Sequence, residues 1–422
     1  MRSVSADIDA LWDFGEPNAS EHRFRRAASG EHISEAMTQV ARALGLQRKY
    51  DQAHATLDSI ADSTGIAAAR ALLERGRLFN DIGDSERALD HFHRALAAAE
   101  ASGADYYAVD AAHMIAVCAT GADAIQANLT AIQMAAASND ERTRGWQGSL
   151  LNNLGWAHFE EGDYSAALPA FEAAVVARQK VGDAKRLLIA KWCVGRTLRA
   201  LTRVDEALDI QYALLDGDGF AWEEVGECLN DQGNLEAARP YFAQAARLLE
   251  GQVQEERLSR LRELGRSSCF AKVGNSSVVF ERSFDADTSA IWTMVGTKDC
   301  VSMWLGTIHG EIAQGEAFGL WINDDQSDLI DCKVEVFAPP NMLTMSWNDT
   351  SKISFAVAES ALVLEHSGIA ERAEYGAAWH AALDLIAHLL RGGPKETFVE
   401  NYEFLRPEYT RLISRSSHQE IQ

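Results

Sequence analysis

The hydrophobic pattern of this chain breaks after its first 265 or so residues: a helical period runs to there, and a period of two begins at Val278. In the first region the offsets of Leu151, Leu154, Gly155, His158, Ala167, Phe171 and Ala174 fit two antiparallel helices crossing at small residues, where backbones approach closely. The same offsets recur at Trp222, Val225, Gly226, Leu229, Ala238, Phe242 and Ala245, and at Leu72, Gly76, Phe79, Ala88, Phe92 and Ala95. Weaker copies run through Met37, Val40, Ala41, Leu44, Ala53, Leu57 and Ile60, and through Val194, Gly195, Leu198, Ala207 and Leu214; a degenerate one spans Val109 to Ile132. These registers predict about six helix pairs over residues 1–265. In Gly162-Asp163-Tyr164 and Gly233-Asn234-Leu235 a glycine closes the first helix and a polar residue opens the second.

From Gly265 the Ser- and Gly-containing stretch 266–277 predicts a linker. Alternation then predicts a strand over Val278 to Phe284, and Asp287 caps a helix carrying Ile291 and Trp292. Six more strands follow, at Gly306 to Ile312, Ala317 to Ile322, Leu329 to Phe337, Leu343 to Trp347, Ile353 to Val357 and Ala361 to His366. An amphipathic helix from Arg372 to Leu390 closes this module, set at residues 278–392, and 393–422 form a tail. In that tail Phe398, Tyr402, Leu405, Tyr409 and Leu412 have helical spacing and predict docking on a module, with Pro407 breaking or kinking the helix.

Two resemblances follow from these patterns. The small and large positions of the first region resemble the tetratricopeptide repeat, whose stacked units leave a concave groove that binds peptides or protein segments. The element order of the second, with Phe284-Asp285-Ala286-Asp287, Ile291-Trp292, Trp304, Val334 to Pro340, Leu343 to Trp347 and Tyr375 to Trp379, resembles the START-like, or SRPBCC, helix-grip fold. Within that fold it is similar to the branch related to the activator of Hsp90 ATPase. It departs at Gln314-Gly315-Glu316-Ala317, where bacterial members carry Gly-Gly, and its meander is shorter around Asn323 to Asp328. The expected class is α+β in two modules: an all-α tetratricopeptide superhelix followed by a helix-grip START-like domain.

Composition narrows the function. With 422 residues, 47% of them hydrophobic, there is material for two cores, and the net charge of −23 argues against a partner held by its phosphate backbone. No apolar run reaches the about 18 residues of a membrane span, and Met1 to Phe14 lacks a signal peptide's apolar core. The expected location is cytoplasmic. Six scattered cysteines, without a Cys-x-x-Cys pair, fit reduced thiols rather than a zinc or redox site.

Candidate binding residues follow from parity and the repeat register. In the helix-grip module Phe318, Leu320, Ile322, Ile330, Cys332, Val334, Leu343, Met345, Trp347, Ile353, Phe355, Leu362 and Leu364 alternate inward, met by Tyr375, Trp379, Leu383 and Ile386 from the last helix. Among these Phe318, Leu320, Val334, Met345, Trp347, Phe355, Tyr375, Trp379 and Leu383, with Trp292, either line a pocket for a small hydrophobic ligand or simply fill a core. Arg282 and His366 share inward parity and could hold a carboxylate or carbonyl, or lie at strand ends against solvent or a structural carboxylate. His380, Asp384 and His388, four apart, fit a solvated helix face better than a metal site. In the repeats, the positions just after the small residue and three before it are Arg42, Arg77, Trp156, Arg196, Asn152 and Trp192, a lining for an extended peptide with acidic and aromatic side chains. Glu223 and Glu227 reverse the sign in the last repeat.

No nucleophile elbow, phosphate-cradling loop or paired-acid motif stands in a supporting context, so no catalytic residue, metal or cofactor is assigned. The reading is a non-catalytic adaptor. One rival is a START-like enzyme of cyclase or hydrolase type using His366 and Arg282. Another is a chaperone accessory, but the clamp positions hold Thr38 with Arg42, Leu73 with Arg77 and Asn152 with Trp156, which transfer no carboxylate clamp.

Overall fold

The structure is a computed structural model that describes residues 8–216, 219–265, 268–322, 329–395 and 401–419. It divides into two compact units, Met1–Ala207 and Leu208–Gln422. In the first, the helix Pro17–Ala27 precedes four helix pairs: Ile33–Leu46 with Tyr50–Asp58, Gly65–Asp81 with Ser85–Ala101, Asp105–Cys118 with Gly121–Ala137, and Gln147–Glu160 with Tyr164–Val181. Ala184–Ala200 follows, and the divide falls inside Val204–Tyr212. No helix among the described residues is long and apolar enough to cross a membrane.

Each clear pair is built on one contact. The faces of Phe92 and Phe171, both wholly buried, press on Gly76 and Gly155 so closely that an added Cβ would lie 2.5 Å and 2.6 Å from ring carbons. At the turns Gly83 (φ 79°) and Gly162 (φ 77°) take the left-handed conformation, after which Asp84 and Asp163 accept hydrogen bonds from the backbone N–H groups of Arg87 and Ala166. In the weaker copies the left-handed position is held instead by Arg48 (φ 59°) and Thr202 (φ 61°). A β-branched residue there crowds its own carbonyl.

The second unit begins with Gly219–Asp231, Leu235–Leu248 and Glu255–Gly265, where Gly226 and Phe242 repeat the glycine–ring contact at 2.8 Å and Gly233 (φ 81°) the turn. Among the described residues its sheet has eight strands: β1 (Lys272–Val273), β2 (Ser277–Ser283), β3 (Thr307–His309), β4 (Ala317–Trp321), β5 (Leu329–Ala338), β6 (Met342–Trp347), β7 (Ser351–Ala358) and β8 (Ala361–Ser367). All pairs are antiparallel in the order β1-β2-β8-β7-β6-β5-β4-β3, with Thr288–Gly296 and Lys298–Trp304 joining β2 to β3. The helix Arg372–Leu390 shares one apolar core with the sheet.

Four features differ from the sequence expectation. The segment expected as a plain linker contributes β1, paired through Lys272 and Val273 to Val279 and Val278. The strand expected from Gly306 to Ile312 keeps only Thr307–His309, because Gly310 (φ 124°) abuts Phe318 and turns the chain out of the sheet. Ile322, expected inward, is 42% exposed just past the end of β4. Pro407 lies inside a continuous helix, Tyr402–Gln419, since burial of Leu405 and Tyr409 in the core offsets one missing backbone hydrogen bond. The expectations for Phe398 and for Asn323 to Asp328 lie outside the described residues.

Thr202→Gly removes left-handed strain without touching the core and should stabilise the first unit by about 1 kcal/mol. The check is the urea midpoint at unchanged m-value; an unmoved or lower midpoint would show that the turn carries no such strain.

Candidate functional site

A cavity of about 490 Å³ opens in the first unit, within the size range of binding sites. Its walls come mainly from the opening helices of successive pairs: Arg42 from the first, Arg70, Glu74 and Arg77 from the second, Tyr106, Tyr107 and Asp110 from the third, Trp146 and Ser149 from the fourth. Arg142, Arg178 and Arg186 complete it, giving six arginines in a chain whose net charge is −23.

Two of these arginines are balanced locally. Arg77 reaches Glu74 at 2.7 Å and Asp110 at 2.5 Å, and Arg42 lies 3.2 Å from Glu74. Burial alone would raise the Asp110 carboxyl, but the Arg77 and Arg42 guanidiniums outweigh it and hold it below the usual carboxylate range. Arg178 is balanced less well. It is 8% exposed, bonds the Ser149 hydroxyl at 2.5 Å, and lies 3.8 Å from Asp183, a carboxylate that Arg186 engages at 2.8 Å. Burial and the like charge of Arg186 lower its pKa, the signature of a cation short of counter-charge.

A segment ahead of the repeats enters the same cavity. Asp9 bonds Arg70 at 2.6 Å through Oδ1, while its Oδ2 accepts from Arg142 and, at 3.1 Å, from the Tyr107 hydroxyl. Trp12 donates from Nε1 to Gln39 at 2.8 Å and stacks on Phe14 with centroids 4.6 Å apart. The Arg42 guanidinium lies 5.9 Å and 5.7 Å from the two ring centres, a cation–π distance.

The six peptide-groove candidates therefore separate. Arg42 and Arg77 line the cavity. Asn152, Trp156, Trp192 and Arg196 form another group: Trp156 and Trp192 centroids are 6.2 Å apart, Arg196 lies 5.5 Å from the Trp192 ring, and the Cys193 thiol reaches Asn152. Sequence reasoning missed Arg70, Tyr107, Asp110, Arg142 and Arg178. Arg70 and Arg77, two turns apart on one face, were a usable signal; that Arg142 and Asp9 meet across 133 positions was not. The sign reversal at Glu223 and Glu227 is neutralised in the second unit by Arg257 and Arg260, each at 2.6 Å.

In the second unit Phe318, Leu320, Val334, Met345, Trp347, Phe355, Trp379 and Leu383 lie buried in one core, with Trp292 at its margin and Tyr375 half-buried against it. A cavity among Trp304, Phe318, Leu320, Met345 and Phe355 measures only about 10 Å³, room for about one water. Arg282 and His366 do not converge. Arg282 faces Leu362 in the β2–β8 register, four residues from His366, which places them about 13 Å apart along the strand. His366 receives a hydrogen bond on Nδ1 from Trp379 Nε1 at 3.0 Å, so its Nε2 carries the proton toward Ser351 Oγ, also 3.0 Å away.

His380 and Asp384, expected on a solvated face, are instead covered, His380 wholly buried and the Asp384 side chain 11% exposed, because the helix Tyr402–Gln419 and Asn401 before it pack on that side of Arg372–Leu390. His380 bonds Ser268 at 2.8 Å and Tyr409 at 3.0 Å; Asp384 pairs with buried Arg282 and accepts from Asn401 at 2.8 Å. Arg282 thus meets a structural carboxylate. Among the described residues no group of three His, Cys, Asp or Glu is placed to hold a metal ion.

Burial holds the imidazoles neutral, lowering His366 from 6.5 to about 4 and His380 to about 3. Their contribution to stability is complete above the unfolded value of 6.5 and is lost as pH falls toward those folded values. Thermal unfolding of the second unit should therefore drop in Tm between pH 7 and pH 4, and His366→Asn should flatten that slope. An equal slope in the variant would remove His366 as its source.

A family profile described as Tetratricopeptide repeat matches residues 148–181, the pair built on Gly155 and Phe171. No curated protein matches the chain. Among solved structures, a tetratricopeptide repeat protein from Parabacteroides merdae is 15% identical, covering 62% of this chain and 98% of its own, with a TM-score of 0.37. The pilF structure of Pseudomonas aeruginosa is 14% identical over 55% of this chain and 96% of its own, at a TM-score of 0.40. CalU16 from Micromonospora echinospora is 22% identical over 32% of this chain and 83% of its own, at a TM-score of 0.27. The chain thus joins a helical, tetratricopeptide-containing N-terminal region to a C-terminal domain with an eight-stranded antiparallel sheet.

Proposed function

We propose that the chain is a non-catalytic adaptor whose repeats bind an extended acidic, aromatic peptide segment. The observation that carries this reading is the charge of the cavity in the first unit. Six arginines line it, answered from the repeats by Glu74, Asp110, Glu35 and Asp183 and from outside them by Asp9, in a chain of net charge −23. Buried guanidiniums seek carboxylates in bidentate geometry, and aromatic side chains stack on them. The recurrence of the glycine–ring contact at Gly226 and Phe242 supports assigning residues 1–265 to one repeat series.

For residues 278–392 we propose a START-like helix grip, with 393–422 as a docking tail. Its support is the element order, strand, two short helices, six-strand meander and long helix, and a sheet order that pairs β2 with β8. Of the roles such a domain could have, protein contact is favoured over a preformed site for a hydrophobic ligand. The cavity among Trp304, Phe318, Leu320, Met345 and Phe355, of about 10 Å³, is far below the about 300 Å³ that small-molecule sites occupy. The separation of Arg282 from His366, each engaged by its own partners, speaks against the enzyme reading.

The test is fluorescence anisotropy of the full chain with labelled peptides graded in Asp, Glu, Trp and Phe content. Acidic–aromatic peptides should bind, more weakly as salt rises, and Arg178→Ala with Arg186→Ala should weaken binding by about tenfold or more. Equal affinity for a basic peptide of the same length would overturn the reading.

A further inference from the structure

We infer that Ile8 to Phe14 is a built-in occupant of the arginine-lined groove, a pseudo-ligand that a partner segment of the same acidic and aromatic chemistry must displace. The inference rests on the peptide reading above and adds its regulation.

The segment is not part of any helix pair, yet it presents a ligand's chemistry to the groove. Asp9 is gripped by Arg70, Tyr107 and Arg142, which come from three separate elements of the repeat region, at separations of 61, 98 and 133 residues. Trp12 and Phe14 lie stacked against the Arg42 guanidinium, while Phe14 remains 60% exposed. The grip is polar at its centre and aromatic at its open end.

The occupancy is partial. Some 490 Å³ stays open, and its far wall holds Arg178 and Arg186, which share the single carboxylate of Asp183. A segment with a carboxylate in the Arg70–Arg142 cage and a second one further along would satisfy both ends, whereas the cis segment reaches only the first. Charge complementarity thus defines the displacing partner: an extended peptide with an acid three to five residues before its aromatics, as in Asp9, Trp12 and Phe14, and a further acid beyond.

Held in cis, Ile8 to Phe14 lowers the apparent affinity of any such partner by the fraction of molecules in which the groove is free. Ile8 also packs with Phe24, Val40 and Leu44, so the alternative is a fixed brace for the first repeat. The two differ in whether the segment can leave.

The experiment uses the full chain and a fluorescein-labelled peptide copying residues 7–16, Asp-Ile-Asp-Ala-Leu-Trp-Asp-Phe-Gly-Glu. Asp9→Ala should tighten its binding about tenfold relative to the wild-type chain, because one grip of the competitor is gone. Hydrogen exchange on the wild-type chain gives a readout independent of the variant's folding: added peptide should speed exchange at residues 8–14. Equal affinity in wild type and Asp9→Ala, with exchange at 8–14 unchanged or slowed, would make the segment a brace and overturn the inference while leaving the groove reading standing. If neither protein binds this peptide nor the acidic–aromatic set, the groove reading itself falls.

Discussion

The first unit depends on the seating of a phenylalanine ring on a glycine sixteen positions earlier. Where no Cβ intervenes, the two helices of a pair approach closely, and the ring fills the space at the crossing without a void. Gly76 with Phe92 and Gly155 with Phe171 fix two pairs in this way, and the residues that follow those glycines, Arg77 and Trp156, are thereby set on the opening helix at comparable heights. Arg77 lines the cavity, while Trp156 joins the separate cluster with Trp192. Packing of small against large residues positions charges that have no part in the packing.

Those charges sort by how completely they are balanced. Arg77 with buried Asp110 and Glu74, and in the second unit buried Arg282 with Asp384, are paired at hydrogen-bonding distance, the arrangement that burial demands of an ion. Such pairs hold elements together and leave little affinity for a third party. Arg178 and Arg186 divide one carboxylate, and Arg70 and Arg142 share Asp9 on a segment outside the repeats, with Glu35 3.5 Å from Arg70. Electrostatic demand left over after folding is what a binding surface offers a partner.

Much of the architecture was legible in the sequence because its periods are strong. The offsets of Gly155 and Phe171 located a pair, and strand alternation located β2 and β4 to β8 to within a few residues. Boundaries failed where one residue overrode the pattern, as Gly310 did in cutting short β3. The site was legible in part. Arg42 and Arg77 follow from the repeat register, but Arg70 sits at another height on the same helix, and Asp9 lies in a stretch with no period at all.

The sequence by itself determined the helix pairs, the strand order along the chain, the placement of an apolar face on each element and the excess of acidic residues, since each is a local or compositional property that short-range sterics and solubility enforce. Tertiary structure alone decided that His380 is buried and Asp384 mostly covered, because the later helix Tyr402–Gln419 covers a face that looks solvated when read alone. It also decided that Phe318, Leu320, Met345 and Phe355 pack into one core, and that Asp9 meets Arg142. Volume and charge pairing depend on which distant groups are brought within a few ångströms, and no period along the chain encodes that distance.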